Sequence, residues 1–304
     1  MTQPVLGLTG ATGFVGQVVL AQALAQGWFV RALTRSSQPP RDGVKWVIGA
    51  LDQAEALADM AQGCDAIIHV AGVVNAPDLS GFETGNVAGT MAVIAAARAA
   101  HVDRFIHVSS LAAREPQLSH YGASKAKAEL IVQASGLDWT MVRPPSVYGP
   151  GDRDNLELFT MAKRGFVPLP PPGRLSLIHV DDLARLLLAV ITVEETRAKL
   201  YEPDDGVADG WTHRAFAKAI GWALGKNIHA LSLPRTALYA GARVDRLFRG
   251  KRARLTRDRV NYFCHPDWVA DPARAVPPQM WVPMIKTRDG LKATAAAYRA
   301  AGWL

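Results

Sequence analysis

The stretch from Val5 to Gly16, Val-Leu-Gly-Leu-Thr-Gly-Ala-Thr-Gly-Phe-Val-Gly, constrains the fold of this chain more than any other. Val5 to Leu8 is a short apolar run, as expected for a strand buried on both faces of a parallel sheet. Gly10, Gly13 and Gly16 follow at three-residue spacing, and Phe14 to Ala25 is patterned as a helix with Phe14, Val15, Val18, Val19 and Ala21 apolar. Strand, glycine turn and helix in this order form the context of a dinucleotide-binding loop. Glycine permits the tight turn and lets the backbone approach a pyrophosphate, which then sits at the helix N-terminus. The spacing is G-x-x-G-x-x-G rather than G-x-G-x-x-G, and a glycine-rich turn without a ligand is the competing reading. The cofactor-contacting positions expected here are Gly10, Thr12, Gly13, Phe14, Val15 and Gly16.

The next strand, Trp28 to Leu33, leads into Thr34-Arg35-Ser36. An NAD site would carry Asp or Glu here to hold the ribose 2′-hydroxyl. Neither is present. Arg35, with Arg31 nearby, can pair with a 2′-phosphate through charge-assisted bonds. The expected cofactor is therefore NADP in preference to NAD.

Strand candidates Val44–Ile48, Ala66–Val70, Arg104–Ser109 and Trp139–Val142 alternate with helices near Gln53–Gln62, Thr84–Ala100 and Ser119–Ala134. Such alternation predicts an α/β fold with a doubly wound parallel (Rossmann) sheet. The pattern breaks after Arg143-Pro-Pro. Pro168 to Gly173 reads as a stiff connection, Asp181–Val193 as a further helix, and the chain from Gly206 as helices and loops ending in Thr287–Ala301. The expected domains are 1–165 with 174–203 returning to it, and a smaller, mainly helical substrate lobe of 166–173 and 204–304.

A hydrophobic content of 49% with 20% charged residues is ordinary for a globular enzyme. Two cysteines argue against a disulfide framework, no run reaches 18 apolar residues and no secretory leader is expected before the first strand, so the cytoplasm is the expected location. The net charge of +7 is concentrated: residues 235–259 hold nine Lys or Arg and two Asp. Leu238 to Phe248 within it has helical periodicity. A basic amphipathic helix can lie weakly on an anionic membrane or bind a phosphorylated ligand; a solvated helix over a substrate pocket is the alternative. No nucleic-acid recognition module is visible, and no metal site is expected.

Tyr121 and Lys125 lie four residues apart, which on a helix puts them on one face. A free tyrosine titrates at about 10. A neighbouring ammonium favours the phenolate and lowers that value, so the pair could move a proton at a substrate oxygen. Alone, Tyr-x-x-x-Lys is weak, since it arises by chance on many solvated helices.

Taken together, the motifs resemble the extended and atypical short-chain dehydrogenases/reductases, the NAD(P)-dependent epimerase/dehydratase superfamily. The matching pieces are Thr9-Gly10-x-x-Gly13-x-x-Gly16, His69-Val-Ala-Gly72, Asn86-Val-x-Gly-Thr90, Val108-Ser-Ser110, Tyr121-x-x-x-Lys125, Arg143-Pro-x-x-Val-Tyr-Gly-Pro150 and Ile178-His-Val-x-Asp182. The resemblance implies that Tyr121 is the general acid/base and that Lys125 holds the nicotinamide ribose and depresses the tyrosine pKa. It implies that Ser110 hydrogen-bonds the reacting oxygen and that Asn86 completes a proton relay through water. Val70, Ala71, Gly72 and Ser109 would line the cofactor, Leu51 and Asp52 the adenine, and Pro144 and Val147 the nicotinamide. Two-fold pairing through Thr84–Ala100 and Ser119–Ala134, giving a homodimer, is common in that family.

Three departures narrow the expectation. Ser110 and Tyr121 are only eleven residues apart, shorter than sugar epimerases usually show. Leu111-Ala112 stand where sugar dehydratases place Asp-Glu. Leu175-Ser176-Leu177 replace a usual diphosphate-binding Arg-Asp-Phe, although Arg174 is adjacent. The function expected is therefore an NADP-dependent oxidoreductase that interconverts a secondary alcohol and a ketone on a fairly apolar small molecule. A nucleotide-sugar epimerase with bound NAD, and an NADP-binding accessory protein with little turnover, are the alternatives.

Overall fold

A computed structural model describes residues 3–76, 78–250 and 255–304. In chain order the regular elements are β1 (Val5–Thr9), α1 (Phe14–Ala25), β2 (Phe29–Thr34), β3 (Val44–Ile48), α2 (Ala54–Ala61), β4 (Ala66–His69), α3 (Leu79–Phe82), α4 (Gly89–Ala99), β5 (Arg104–Val108), α5 (His120–Gln133) and β6 (Asp138–Val142). There follow β7 (Ser146–Tyr148), α6 (Leu156–Lys163), β8 (Phe166–Leu169), β9 (Arg174–Leu175), β10 (Leu177–His179), α7 (Val180–Thr192) and β11 (Lys199–Tyr201). The last are β12 (Trp211–Thr212), α8 (His213–Ala223), β13 (His229–Ser232), α9 (Arg235–Arg249), α10 (Arg257–Phe263), β14 (Asp267–Trp268) and α11 (Thr287–Ala300).

The chain forms two compact units. The first comprises the residues up to Arg143, Leu183–Tyr201 and Val276–Trp281. Its seven strands run in the order β11-β6-β5-β4-β1-β2-β3, all parallel. This is the doubly wound arrangement, and the order reverses between β1 and β4, where such sheets bind ligands beyond the strand C-termini. Both faces are covered, which explains the near-continuous apolar strands. Leu6 and Leu8 of β1 are fully buried toward one face. Toward the other, a Cβ added to Gly7 would lie 2.9 Å from Ile67 and 3.0 Å from Met60. On that second face α2, α4 and α5 bury Leu57, Met60, Val93 and Val132 against Ile67, Phe105 and Met141 of the sheet.

The second unit comprises Pro144–Asp182, Glu202–Ala275 and Val282–Leu304. Its core joins Phe159, Phe216, Ile220, Leu291 and Tyr298 from α6, α8 and α11. The chain passes into this unit at Pro144 rather than at residue 165, and residues 174–182 also cluster there. The reason is local: β7 pairs with β10, and α6 packs on α8. Nor is Pro168 part of a stiff connection. It lies in β8, which pairs on one side only, with β13. A proline survives there because an edge strand does not need its missing N–H.

One expected helix is also modified. Between α3 and α4, residues Glu83–Ala88 form a π turn, closed by Gly89 N donating to Thr84 O. A wide turn of this kind often marks a functional position, and Asn86 lies within it.

Candidate active site

All the positions expected to act on a cofactor, except Pro144 and Val147, fall in the first unit. They collect beyond the C-terminal ends of β1, β2, β3, β4 and β5, at the start of α1 and on α5. Pro144 is buried and Val147 lies on β7, both in the second unit.

The glycine loop is built for close approach. Gly10 has φ of +75°, and a Cβ there would lie 2.8 Å from Ala71 N. Only glycine adopts that conformation without strain. A Cβ on Gly16 would lie 1.9 Å from Gly10 O, so α1 starts in contact with the loop. The N-cap is Gly13, with no capping side chain and no acidic residue in the first turn. The first-turn N–H groups of α1 are thus left to an anion, and the positive end of the helix favours one. Thr12 and Gly13 are exposed beside them, with Phe14 and Val15 half-buried. These features fit a dinucleotide pyrophosphate.

Val70, Ala71 and Gly72 follow β4; the first two are half-buried and Gly72 is exposed. Leu51 is half-buried and packs on the core, with Asp52 exposed next to it. Arg35 is exposed just past the end of β2. Arg31 is not available beside it: its guanidinium donates to Asp59 Oδ1 at 2.6 Å and to Asp59 O. Sequence spacing alone could not show that α2 brings a carboxylate to that strand.

Behind the loop runs a continuous hydrogen-bonded chain. Ala71 N donates to Thr9 Oγ1 at 3.1 Å, and Thr9 Oγ1 lies 2.7 Å from His69 Nδ1. His69 Nε2 lies 3.1 Å from Thr90 Oγ1, which donates to Asn86 O at 2.6 Å. Asn86 Oδ1 accepts from Val73 N at 2.6 Å, while its Nδ2 donates to Val73 O and to Ser124 Oγ, each at 2.9 Å. Ser124 Oγ in turn donates to Tyr121 O at 2.8 Å. Burial, with Lys125 nearby, pushes the His69 imidazolium down to about 3, so the ring is neutral. Both amide hydrogens of Asn86 are spent in this chain. These bonds hold the segment after β4 against α5.

Tyr121 and Lys125 lie on α5, which Ser119 caps by accepting from Gly122 N at 2.9 Å. Tyr121 is half-buried, 6.3 Å from Phe82 between ring centres. Lys125 is buried, and its Nζ donates to Val108 O at 2.7 Å. Burial pushes its ammonium down to about 8, with Glu129 opposing the shift. It therefore remains largely charged at neutral pH. Ser110 follows β5 and is half-exposed. Its Oγ accepts from Ala112 N at 3.2 Å, a bond that leaves the hydroxyl hydrogen free to donate. The adjacent Ser109 differs. Its hydroxyl is buried and donates to Glu129 Oε1.

Glu129 escaped the sequence reading. It is 4% exposed, one turn beyond Lys125, and also accepts from Arg143 at 2.8 Å (Nε) and 2.6 Å (Nη2). One carboxylate thus ties together α5, the end of β5 and the end of β6. Its i+4 spacing from Lys125 was the available signal. Among the described residues no cluster of His, Cys, Asp and Glu could hold a metal ion, and no helix is long and apolar enough to cross a membrane.

Comparison with known proteins identifies the family. A family model described as NAD(P)H-binding matches residues 10–194, well over half the chain. The chain is 39% identical over 318 residues to a ceramide reductase of Caulobacter vibrioides, covering 99% of this chain and 96% of the relative. It is 28% identical over 336 residues to a 2-alkyl-3-oxoalkanoate reductase of Stenotrophomonas maltophilia, covering 95% and 99%. Among solved structures, a double mutant of a dTDP-glucose 4,6-dehydratase from Streptomyces venezuelae, with NAD bound, superposes with a TM-score of 0.71 at 22% identity, over 98% of each chain. At that identity the structure speaks to the fold alone. The chain belongs to the NAD(P)H-binding family and is an enzyme of the NAD(P)-dependent short-chain dehydrogenase/reductase superfamily, in its epimerase/dehydratase branch.

Proposed function

We propose that this enzyme reduces a ketone to a secondary alcohol with NADPH, on a lipid-like molecule such as an oxidised ceramide. The observation that carries the reading is a half-exposed Ser110 hydroxyl on the strand end before α5, with Tyr121 and a buried, charged Lys125 sharing one face of α5. Tyr121 donates the proton that the substrate oxygen needs as it becomes an alkoxide. The ammonium of Lys125 holds the phenol ready to lose that proton and binds the ribose hydroxyls. Ser110 donates to the same oxygen and stabilises the charge developing on it. When bound, the reduced nicotinamide supplies the hydride. Buried Leu111 and Ala112 follow Ser110, so no carboxylate stands there to eliminate water.

Arg35, exposed where an NAD site would carry a carboxylate, supports NADPH. The names of the two relatives, a ceramide reductase and an alkyl-oxoalkanoate reductase, support a carbonyl on a molecule with alkyl chains. The test uses the purified enzyme, NADPH and an N-acyl 3-ketosphinganine. Tyr121→Phe should lower kcat by about two to four orders of magnitude, with NADPH affinity nearly intact. Equal turnover by the variant refutes the catalytic role. A wild-type enzyme that oxidises NADPH with no such ketone refutes the substrate class.

A further inference from the structure

The second unit carries an exposed helical surface on α9. Helix α9 turns one face inward. Ala242 is buried, Tyr239 Oη donates to Asn261 of α10, and Asp245 accepts from Leu255 N at 2.8 Å. At 100° per residue, Ala237, Ala240, Val244, Leu247 and Phe248 fall together on the opposite face. All five are exposed. Leu247 and Phe248 each keep 81% of their surface in water, and Val244 keeps 53%. A solvated helix does not need a leucine and a phenylalanine side by side at that exposure. Single exposed apolar residues are common, but a contiguous outward stripe marks an interaction surface.

The charge around the stripe says what it meets. Arg243 is exposed beside it, Arg246 is exposed further round the helix, and Arg249 closes the helix and pairs with Asp245 at 3.3 Å. In sequence, residues 235–259 hold nine basic and two acidic residues; of the nine, Lys251, Arg252 and Arg254 lie outside the described residues. An apolar stripe flanked by Arg243 within a strongly basic segment, on a helix too polar to insert across a bilayer, matches an anionic lipid surface. The apolar side chains enter the boundary between headgroups and acyl chains while the guanidinium groups stay at the phosphates.

We propose that α9 docks this enzyme on an anionic membrane surface. The proposal is independent of the substrate reading, because the helix recognises the lipid surface and not the molecule reduced. The test is flotation of the full-length protein with phosphatidylcholine vesicles containing or lacking phosphatidylglycerol, at low and high ionic strength. The expected result is binding to the phosphatidylglycerol vesicles, weakened by salt, and little binding to phosphatidylcholine alone. Leu247→Ser with Phe248→Ser should lower partitioning about tenfold or more. Arg243→Glu with Arg246→Glu should do so by a comparable factor while reducing the salt dependence. All these side chains are exposed, so both variants should keep the wild-type melting temperature and NADPH binding, which separates lost docking from misfolding. Three results overturn the proposal: a wild-type protein that stays with the unbound fraction, variants that float as well as wild type, or a concentration-dependent dimer in solution abolished by the Leu247/Phe248 variant.

Discussion

Replacing Glu129 with Gln is the change whose consequences the structure specifies most fully. The carboxylate is 4% exposed and accepts from Ser109 and twice from Arg143, whose side chain is itself only 12% exposed. Gln keeps the volume but offers one acceptor oxygen in place of two and turns an NH₂ toward guanidinium donors. Breaking one side of a buried ion pair costs about 3–5 kcal/mol, most of it the penalty of leaving the other charge unmatched. For a domain of this size that corresponds to a fall in Tm of roughly 10 °C. A second effect reaches the site. Glu129 is the charge that holds the Lys125 pKa up against burial. Without it the ammonium is lost at a pH below the present value of about 8. Activity should therefore decline from a lower pH on the alkaline side. The checks are thermal unfolding followed by circular dichroism and the pH dependence of kcat/KM. Glu129→Gln/Arg143→Met, which removes both charges, should recover much of the lost stability but not the pH profile. A single variant that melts within about 1–2 °C of wild type, less than 1 kcal/mol, refutes the structural part. An unchanged alkaline limb refutes the electrostatic part.

Three further outcomes follow from the same geometry. Gly16→Ala puts a methyl 1.9 Å from Gly10 O; the loop must move, and NADPH affinity read by fluorescence titration should fall about 10- to 100-fold. Arg35→Ser should weaken NADPH about 10- to 100-fold while leaving NADH unchanged, since a charge-assisted contact is worth about 1.5–3 kcal/mol; equal losses for both cofactors would place Arg35 away from the 2′-phosphate. His107 is fully buried beside His69, neither of its ring nitrogens has a hydrogen-bond partner among the described residues, and its pKa, like that of His69, is depressed chiefly by burial. Both rings stay neutral in the fold but take up protons near 6.5 when unfolded, so stability falls as pH drops below that value, by about 1.4 kcal/mol per pH unit per histidine. His107→Leu should be neutral or stabilising at pH 7 and should flatten that acid limb by one proton in denaturant titrations.

Much of the first unit was written in short-range pattern. The apolar runs at β1, β4 and β5, the glycines at 10, 13 and 16 and the i,i+4 pair on α5 each depend on residues a few positions apart, so period and spacing suffice to read them. Ends of elements fell within a residue or two for the same reason. The π turn at Glu83–Ala88 did not show, because its apolar pattern is that of an ordinary helix and the widening comes from what Asn86 bonds across space. The two-residue strands β9, β12 and β14 were equally silent, since segments so short carry no period and exist only through their partners.

The chain by itself therefore determined the chemistry it carries: a glycine loop that admits a pyrophosphate, a tyrosine and a lysine on one helical face, and a basic helix with an apolar stripe. These are local properties, set by backbone sterics and side-chain period. Tertiary structure decided which polar groups remain available. It spent Arg31 on Asp59, Asn86 on Val73 and Ser124, and Ser109 on Glu129, while leaving the Ser110 hydroxyl hydrogen uncommitted. Those pairings join residues 13 to 38 positions apart, a separation over which no local pattern acts. They follow from burial, which requires each polar group taken out of water to find a partner wherever the fold brings one near.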